Sequence, residues 1–522
     1  MEDVEVVIVS VLLSVVVLSA AARAINVPYP IVMVLGGALM GFVPGLPEVA
    51  MNPDLVLLIF LPPLLYTSAF FANLTDLRAN LRPITLLSVG LVLFTVVLVA
   101  VVAHELIDGM SWPVAFTLGA IVGPTDPIAA TAIARRLGVP RQLVSVLEGE
   151  SLINDATALV AYNIARAAVF GASFSLLDAG WDFVWKAAGG AALGLLVGWV
   201  IAEVRRRLDD PLIENTISLL TGYAAYVPAE KLHLSAVVAA VTVGIYVGWQ
   251  APRIASPATR IRGFGMWEQL QFLLNAILFV LTGLQLPTVL DSLDATHAGE
   301  LTGYAVAISL AVILARLVWQ NTIIYVVRAL DRRASQRARR TTWRYRLVGG
   351  WAGMRGAVSL AAALALPSDF PQRDLVVFLT FAVIFATLVL QGLTLAPLIR
   401  WLGVTDDGSL EAGEELRARL VATEAALARI AALRDEDWTR DDTLERLEGA
   451  YTYRRRRLKA RAGKIEDDGY EDRSFAYQTV LREVLEAQRG EIVRLRNEGT
   501  ISNEVMHRLE RELDLEDERL EI

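Results

Sequence analysis

Apolar residues in this 522-residue chain come in blocks. Up to about residue 400, stretches long enough to cross a bilayer alternate with short polar connectors. From residue 402 onward, charged and helix-forming residues take over. A helix needs about twenty consecutive apolar residues to span the hydrocarbon core. That rule predicts thirteen spans, near 4–22, 28–44, 55–72, 83–104, 113–134, 146–169, 184–203, 212–228, 235–249, 266–285, 301–327, 347–366 and 375–399. The chain therefore reads as an all-α polytopic membrane protein, with a transmembrane domain over 1–400 and a helical domain over 401–522. The opening Met1-Glu2-Asp3-Val4 has no basic n-region, and no small-residue cleavage site follows, so residues 4–22 read as a retained first span.

Basic residues orient these spans. Counted loop by loop, the odd-numbered connections hold Arg23; Arg78 and Arg82; Arg135, Arg136 and Arg141; Arg205 to Arg207; Arg253, Arg260 and Arg262; and eight arginines between Arg328 and Arg346. The even-numbered connections hold only Lys186, Lys231 and Arg373. Cytoplasmic loops carry the excess of Lys and Arg. The N-terminus is therefore expected outside the cell membrane and the C-terminal domain in the cytoplasm.

Two polar interruptions break the apolar pattern. Gly123-Pro124-Thr125-Asp126-Pro127 falls in the fifth span, and Gly349-Gly350-Trp351-Ala352-Gly353-Met354-Arg355-Gly356 falls in the twelfth. If spans 1–6 and 8–13 are repeats joined by span 7, both breaks lie fifth in their repeat. The offset of seven is odd, so equivalent helices run in opposite directions, as two six-helix inverted repeats. Matched interruptions in the two halves point to the binding site of a transporter, because irregular backbone at membrane depth is tolerated only where protein or a cavity surrounds it.

The sixth span carries the polar run Gly149-Glu150-Ser151-Leu152-Ile153-Asn154-Asp155. Helical spacing puts Ser151 and Asp155 on one face and Glu150 and Asn154 on another. Asp155 lies near mid-span beside Leu152, Ile153 and Leu159, where desolvation disfavours a bare carboxylate; such a group can hold a proton or a small cation in turn. Thr125 and Asp126 offer hydroxyl, carbonyl and carboxylate oxygens suited to a hard cation such as Na⁺. Asp126 has two readings, a direct cation contact or a cap on the second half-helix. Arg316, in the middle of span 11, needs an internal counter-charge, and Glu150 is its expected partner. A carboxylate so neutralised supports the site rather than carrying the ion. Arg355, at the second break, is expected to stabilise a half-helix C-terminus.

Composition narrows the classes. The chain is 55% hydrophobic, and its mean hydropathy is +0.48. Its acidity is local: residues 402–522 hold 21 Lys and Arg against 30 Asp and Glu, leaving the rest near neutral. Nucleic acid is thus an unsuitable partner for either part. Without cysteine, neither a disulfide framework nor a thiolate metal site can form. The four histidines, His104, His233, His297 and His507, have no metal-ligand spacing. No Walker lysine motif or Ser-His-Asp set suggests an enzyme. A passive channel lacks a filter repeat or a continuous polar stripe here, and an organic-anion carrier would have to use Arg355 as a carboxylate clamp.

Thr125-Asp126-Pro127, the 149–155 run, Arg316 and Gly353-Met354-Arg355-Gly356, in this order on these spans, resemble the NhaP-type bacterial sodium/proton antiporters, the electroneutral branch related to animal sodium/hydrogen exchangers. The resemblance covers about residues 4–400. It implies secondary antiport of Na⁺ (alternatively Li⁺ or K⁺) for H⁺, with these ions as cargo and no cofactor. It also implies a homodimer in membrane lipid, and a core domain that moves against a dimerisation domain. Asp155 would bind Na⁺ and H⁺ in competition, helped by Ser151, Thr125 and backbone at the crossed breaks. The Asn154-Asp155 pair goes with one-for-one exchange, and Glu150 with Arg316 matches the family's structural ion pair. One departure stands out: some relatives have an acidic residue in span 3, where Leu61-Pro62-Pro63-Leu64-Leu65-Tyr66-Thr67-Ser68 offers only hydroxyls.

In the C-terminal domain, Gly499 followed by Ser502-Asn503-Glu504 predicts a helix stop and restart. Leu481, Val484, Leu485, Gln488, Ile492 and Leu495 predict a packing stripe. The basic run Arg454 to Arg457, Lys459 and Arg461 reads as a solvated face or a contact with anionic headgroups.

Overall fold

Local chemistry sets where the helices begin. Asp210 accepts from the N–H of Leu212 at 2.8 Å with Pro211 in the first helical position, opening the Pro211–Lys231 helix. Ser256 accepts from Thr259 N–H at 3.2 Å and opens Pro257–Leu284 in the same way. The computed structural model describes residues 2–44, 53–171, 176–291, 298–330, 341–406 and 408–520. Helices dominate, and no strand occurs among the described residues. Of the arginine-rich stretch between spans 11 and 12, residues 331–340 lie outside the described residues, as does His297.

Seven helical stretches are long and apolar enough to cross a membrane: Ile8–Ile25, Leu81–Leu106, Gly180–Arg206, Ala236–Ile254, Pro257–Asp291, Gly299–Val326 and Arg373–Leu402. Their outer surfaces carry Leu13, Val16, Trp185, Trp199 and Leu314, all exposed. So much uncovered apolar surface suits lipid rather than water. The remaining predicted spans fall on helices that are shorter or more polar. Tyr29–Gly41, Leu55–Phe70 and Trp112–Val122 are short and apolar, while Arg141–Val169 carries the polar run.

Two predicted spans are less regular than expected. Within 83–104 and 375–399, Leu86–Leu91 and Thr387–Gln391 are π-helical. The extra residue per turn widens the helix locally, and both segments lie beside the broken helices or the polar run. The Pro53–Phe70 helix contains Pro62 and Pro63. Pro63 has no N–H for the carbonyl of Ile59, and the hydroxyl of Tyr223 donates to that oxygen instead at 2.7 Å.

Chain contacts divide the protein into two compact units, Met1–Asp406 and Asp407–Ile522. In the first, one large core joins Val96, Leu118, Ile121, Phe279, Ile308 and Leu379. A second cluster packs Leu152 and Ala156 against Leu61, Leu65, Tyr226 and Val241. In the second unit, helices run over Ser409–Ala432, Asp441–Arg461, Tyr470–Asn497 and Asn503–Glu518. Gly499 sits at φ +73° between the last two, and Ser502 caps the restart by accepting from Val505 N–H at 3.3 Å. Leu485 is buried, and Leu481, Ile492 and Leu495 are half-buried, but Val484 and Gln488 point outward. The packing stripe is thus narrower than the spacing predicts, because the neighbouring helices Asp441–Arg461 and Asn503–Glu518 leave Val484 and Gln488 uncovered.

Tyr29–Gly41 and Pro257–Leu284 touch backbone to backbone. A Cβ on Gly37 would lie 2.3 Å from the carbonyl oxygen of Val280, and one on Gly283 would lie 2.2 Å from that of Val34. Neither obstacle is a side chain that can swing away. Gly283→Val is therefore expected to destabilise the protein by about 3 kcal/mol or more, seen as a lowered unfolding temperature in detergent. An unchanged temperature would mean that these helices do not approach so closely.

Candidate functional site

The fifth and twelfth predicted spans are each two half-helices. Trp112–Val122 and Ile128–Arg136 flank the first break; Trp343–Trp351 and Ala357–Leu364 flank the second. The breaks meet: the N–H of Asp126 donates to the carbonyl of Met354 at 2.8 Å. Asp126 Oδ1 accepts from Ile128 N–H at 2.9 Å, so the carboxylate caps the second half-helix. Its other oxygen faces Gly356, where a Cβ would come within 2.1 Å of Oδ2. Only glycine at 356 lets the carboxylate approach the start of Ala357–Leu364 as well. Helix N-termini attract negative charge, so Asp126 sits where two of them need it.

Arg355 answers the opposite ends. Its Nε donates to the carbonyl of Val122, the last residue of the first half-helix, at 3.1 Å, and its Nη1 donates to the carbonyl of Gly353. Its backbone N–H donates to Thr387 Oγ1 at 3.1 Å. The guanidinium is thus occupied by carbonyls and fully buried.

A second polar group lies against the first break. Arg316 forms a two-pronged pair with Glu150: Nη2 to Oε2 is 2.8 Å, and Nη1 donates to Oε1. Its Nε donates to the carbonyl of Gly349 at 3.0 Å. Glycine at 353 clears its path, since a Cβ there would lie 2.3 Å from Arg316 Cδ. Glu150 is 1% exposed and Arg316 0%. Thr125 Oγ1 donates to Glu150 Oε1 at 2.9 Å. The amide of Asn154 donates to the carbonyl of Thr125 at 2.9 Å and to its hydroxyl at 3.1 Å. Thr125 keeps one lone pair on each oxygen beyond these bonds.

The helix Arg141–Val169 sorts its polar residues by face. At about 100° per residue, Glu150 and Asn154 point to the breaks, and Leu152 and Ala156 point to the second hydrophobic cluster. Ser151 and Asp155 fall between these faces and are half-buried. No hydrogen-bond donor or cation engages Asp155 among the described residues, and Asp126 is near enough for its charge to act on it. The structure therefore gathers Thr125, Glu150, Asn154 and Arg316 into one bonded group, puts Asp126 and Arg355 at the crossing, and leaves Asp155 uncommitted. The sequence reading did not single out Thr387, which receives the Arg355 N–H, or the carbonyls of Val122, Gly349 and Met354. Backbone acceptors leave no mark in residue types, and Thr387 is one of many hydroxyls in apolar spans. Outside the site, His104 Nδ1 contacts the carbonyl of Met110 at 2.7 Å, and His507 pairs with Glu510 on the surface.

Interrupted helices that cross beside an unpaired carboxylate define a class, the ion-coupled membrane carriers. The chain belongs to the sodium/hydrogen exchanger family, whose transmembrane domain matches residues 9–401. A Mycobacterium tuberculosis protein described as an uncharacterized Na(+)/H(+) exchanger is 35% identical, covering 99% of this chain and 96% of its own. The Na(+)/H(+) antiporter ApNhaP of Aphanothece halophytica is 32% identical over 82% of this chain and 79% of its own. Among solved structures, the sodium proton antiporter MjNhaP1 from Methanocaldococcus jannaschii shares the fold with a TM-score of 0.57 at 19% identity, over 77% of this chain and 100% of that one.

Removing one member of a buried ion pair strands the other, at a cost of about 3–5 kcal/mol. Arg316→Met and Glu150→Gln are each expected to lower the unfolding temperature strongly, and the double variant by less than the sum of the two. Additive losses in that thermal double-mutant cycle would show that the two side chains do not interact.

Proposed function

We propose that this protein is an electroneutral Na⁺/H⁺ antiporter in which Asp155 carries either the cation or the proton, exposed alternately to the two sides of the membrane. The observation that carries the reading is the contrast among three carboxylates. Glu150 is neutralised by Arg316, Asp126 caps a half-helix, and Asp155 alone of the three has no hydrogen-bond or ion-pair partner among the described residues. Ser151, one turn before Asp155, and the spare lone pairs of Thr125 and Asp126 complete an oxygen-rich shell for a small hard cation. Asn154 contributes to the shape of this shell through Thr125 and brings no second charge. Glu150, Arg316 and Arg355 hold the framework.

The wider arrangement goes with this reading. Thirteen crossings form two inverted repeats, the N-terminus faces out, and residues 401–522 face the cytoplasm. Two copies associate in the cell membrane, and membrane lipid covers the exposed apolar helices. Relatives described as Na(+)/H(+) antiporters favour Na⁺ as cargo. Another relative, the sodium, potassium, lithium and rubidium/H(+) antiporter of Bacillus pumilus, is 31% identical over 72% of this chain and 59% of its own, and keeps K⁺/H⁺ exchange as the second reading. An organic-anion carrier is disfavoured because Arg355 gives its Nε and Nη1 hydrogens to carbonyls.

Three expectations follow for everted vesicles. Asp155→Asn is expected to reduce Na⁺-dependent proton release to background while the protein remains folded and membrane-inserted; exchange that survives would remove Asp155 as the carrier. Protons and Na⁺ compete for one site, so the apparent KM for Na⁺ should rise as pH falls while the maximal rate changes less. Asn154→Asp should make exchange sensitive to an imposed membrane potential, and it should also destabilise the fold by about 1–3 kcal/mol by removing the donor to Thr125. Exchange by Asn154→Asp that ignores the potential would separate this residue from stoichiometry.

A further inference from the structure

The C-terminal unit contains a cavity that antiport does not require. It measures about 410 Å³ and lies among three helices. Arg454 and Arg457 enter from Asp441–Arg461, one turn apart on the same face; Arg473 comes from Tyr470–Asn497, and Arg519 from the end of Asn503–Glu518. None of the four pairs with a carboxylate among the described residues. Arg457 donates to the hydroxyl of Ser474. Arg473 donates to the backbone carbonyl of Asp468 and lies over the ring of Tyr470, 5.1 Å from its centroid.

The setting makes this unusual. Residues 402–522 have an excess of acidic over basic side chains, and carboxylates are close at hand for other arginines: Arg489 meets Asp514 at 2.9 Å and Asp517 at 3.1 Å. A solvated helix face would place the arginines of one helix in a row. Here three helices turn theirs toward one concavity, where a bound anion would offset four like charges. Guanidinium groups fit phosphate oxygens two at a time. The lining adds two tyrosines: Tyr453, whose ring packs 5.7 Å from that of Tyr470, and Tyr477, which is 66% exposed. We propose that this cavity binds a phosphorylated anion, with the exposed ring of Tyr477 available to stack on an aromatic base, which makes a nucleotide the expected ligand.

Calorimetry on the full-length protein in detergent tests this with two soluble probes, ATP and inorganic tripolyphosphate. Saturable binding of both, one per chain and weakening with added salt, is the expected result. Arg454→Ala with Arg519→Ala should weaken both by about tenfold or more, whereas Arg454→Lys with Arg519→Lys retains most of the charge and should lose less. Tyr477→Ala should weaken ATP and spare tripolyphosphate. All four arginine substitutions lie outside the transport site, so Na⁺-dependent proton release without added ligand should match the parent protein. A third arm uses short-chain phosphatidylglycerol. If it binds, is sensitive to the same arginines, and neither soluble probe binds, the phosphate chemistry stands and its source is a lipid headgroup. Absence of binding by all three probes, or binding indifferent to both arginine pairs, overturns the proposal.

Discussion

A helix that stops inside an apolar slab leaves N–H and C=O groups that only protein or trapped water can satisfy. Two such helices meet here, and much of the chemistry of the site follows from how their ends are answered. The N–H of Asp126 takes the carbonyl of Met354, so each break closes part of the other's deficit. Arg355 covers the carbonyls of Val122 and Gly353, and the Asp126 carboxylate covers the N–H of Ile128. Positive charge thus stands at a C-terminal end and negative charge at the N-terminal ends, as the half-helix dipoles require. These bonds tie the half-helices together, so they respond as one piece to any displacement.

The same requirement sorts the acidic groups. A carboxylate in low dielectric needs a counter-charge or several donors. Glu150 has both, from Arg316 and from the Thr125 hydroxyl. Asp126 has a backbone donor and two nearby helix starts. Among the described residues Asp155 has neither a donor nor a cation, and it shares its surroundings with the charge on Asp126. Of the three, it alone has no bond in the framework to lose, which is why the proposed exchange is assigned to it. The apolar neighbours Leu152 and Ala156 belong to the cluster built with Leu61, Leu65 and Tyr226. Asp155 therefore stands between that cluster and the broken helices.

Much of this was legible in the residues. Gly and Pro mark the breaks because they remove hydrogen bonds and side chains, and a helical repeat divides Ser151 and Asp155 from Glu150 and Asn154 before any coordinates are known. Arg316 in an apolar run demands an internal acid, and Glu150 is within its reach in the fold. What sequence could not supply was backbone: the acceptors for the Arg355 guanidinium and for Nε of Arg316 are carbonyls, which every residue has. Asp126 had two readings, and its bond to Ile128 N–H gives the capping one a geometric basis while leaving Oδ2 turned toward Gly356. The π segments at 86–91 and 387–391 were equally silent, since an apolar run has the same composition whether its turn holds three or four residues. In the C-terminal unit, a heptad-like reading overestimated the stripe at Val484 and Gln488 because it could not say how many helices would cover it.

Under the proposed antiport, the amide at position 154 would link this framework to the number of charges moved. Its Nδ2 donates to both oxygens of Thr125, and an amide does so at every pH. A carboxylate at 154 could make one of those bonds, and only while protonated; ionised, it would turn a lone pair toward the Thr125 carbonyl oxygen and disfavour the present arrangement of the first break. A second titrating group there would thus couple its own proton to the shape of the cation shell. With asparagine, the bonds to the Thr125 oxygens do not depend on a proton at 154. If Asp155 is the carrier, each half-cycle then changes occupancy at a single carboxylate, because Glu150 stays paired with Arg316 and Asp126 stays on its half-helix, and asparagine at 154 adds no further group to protonate.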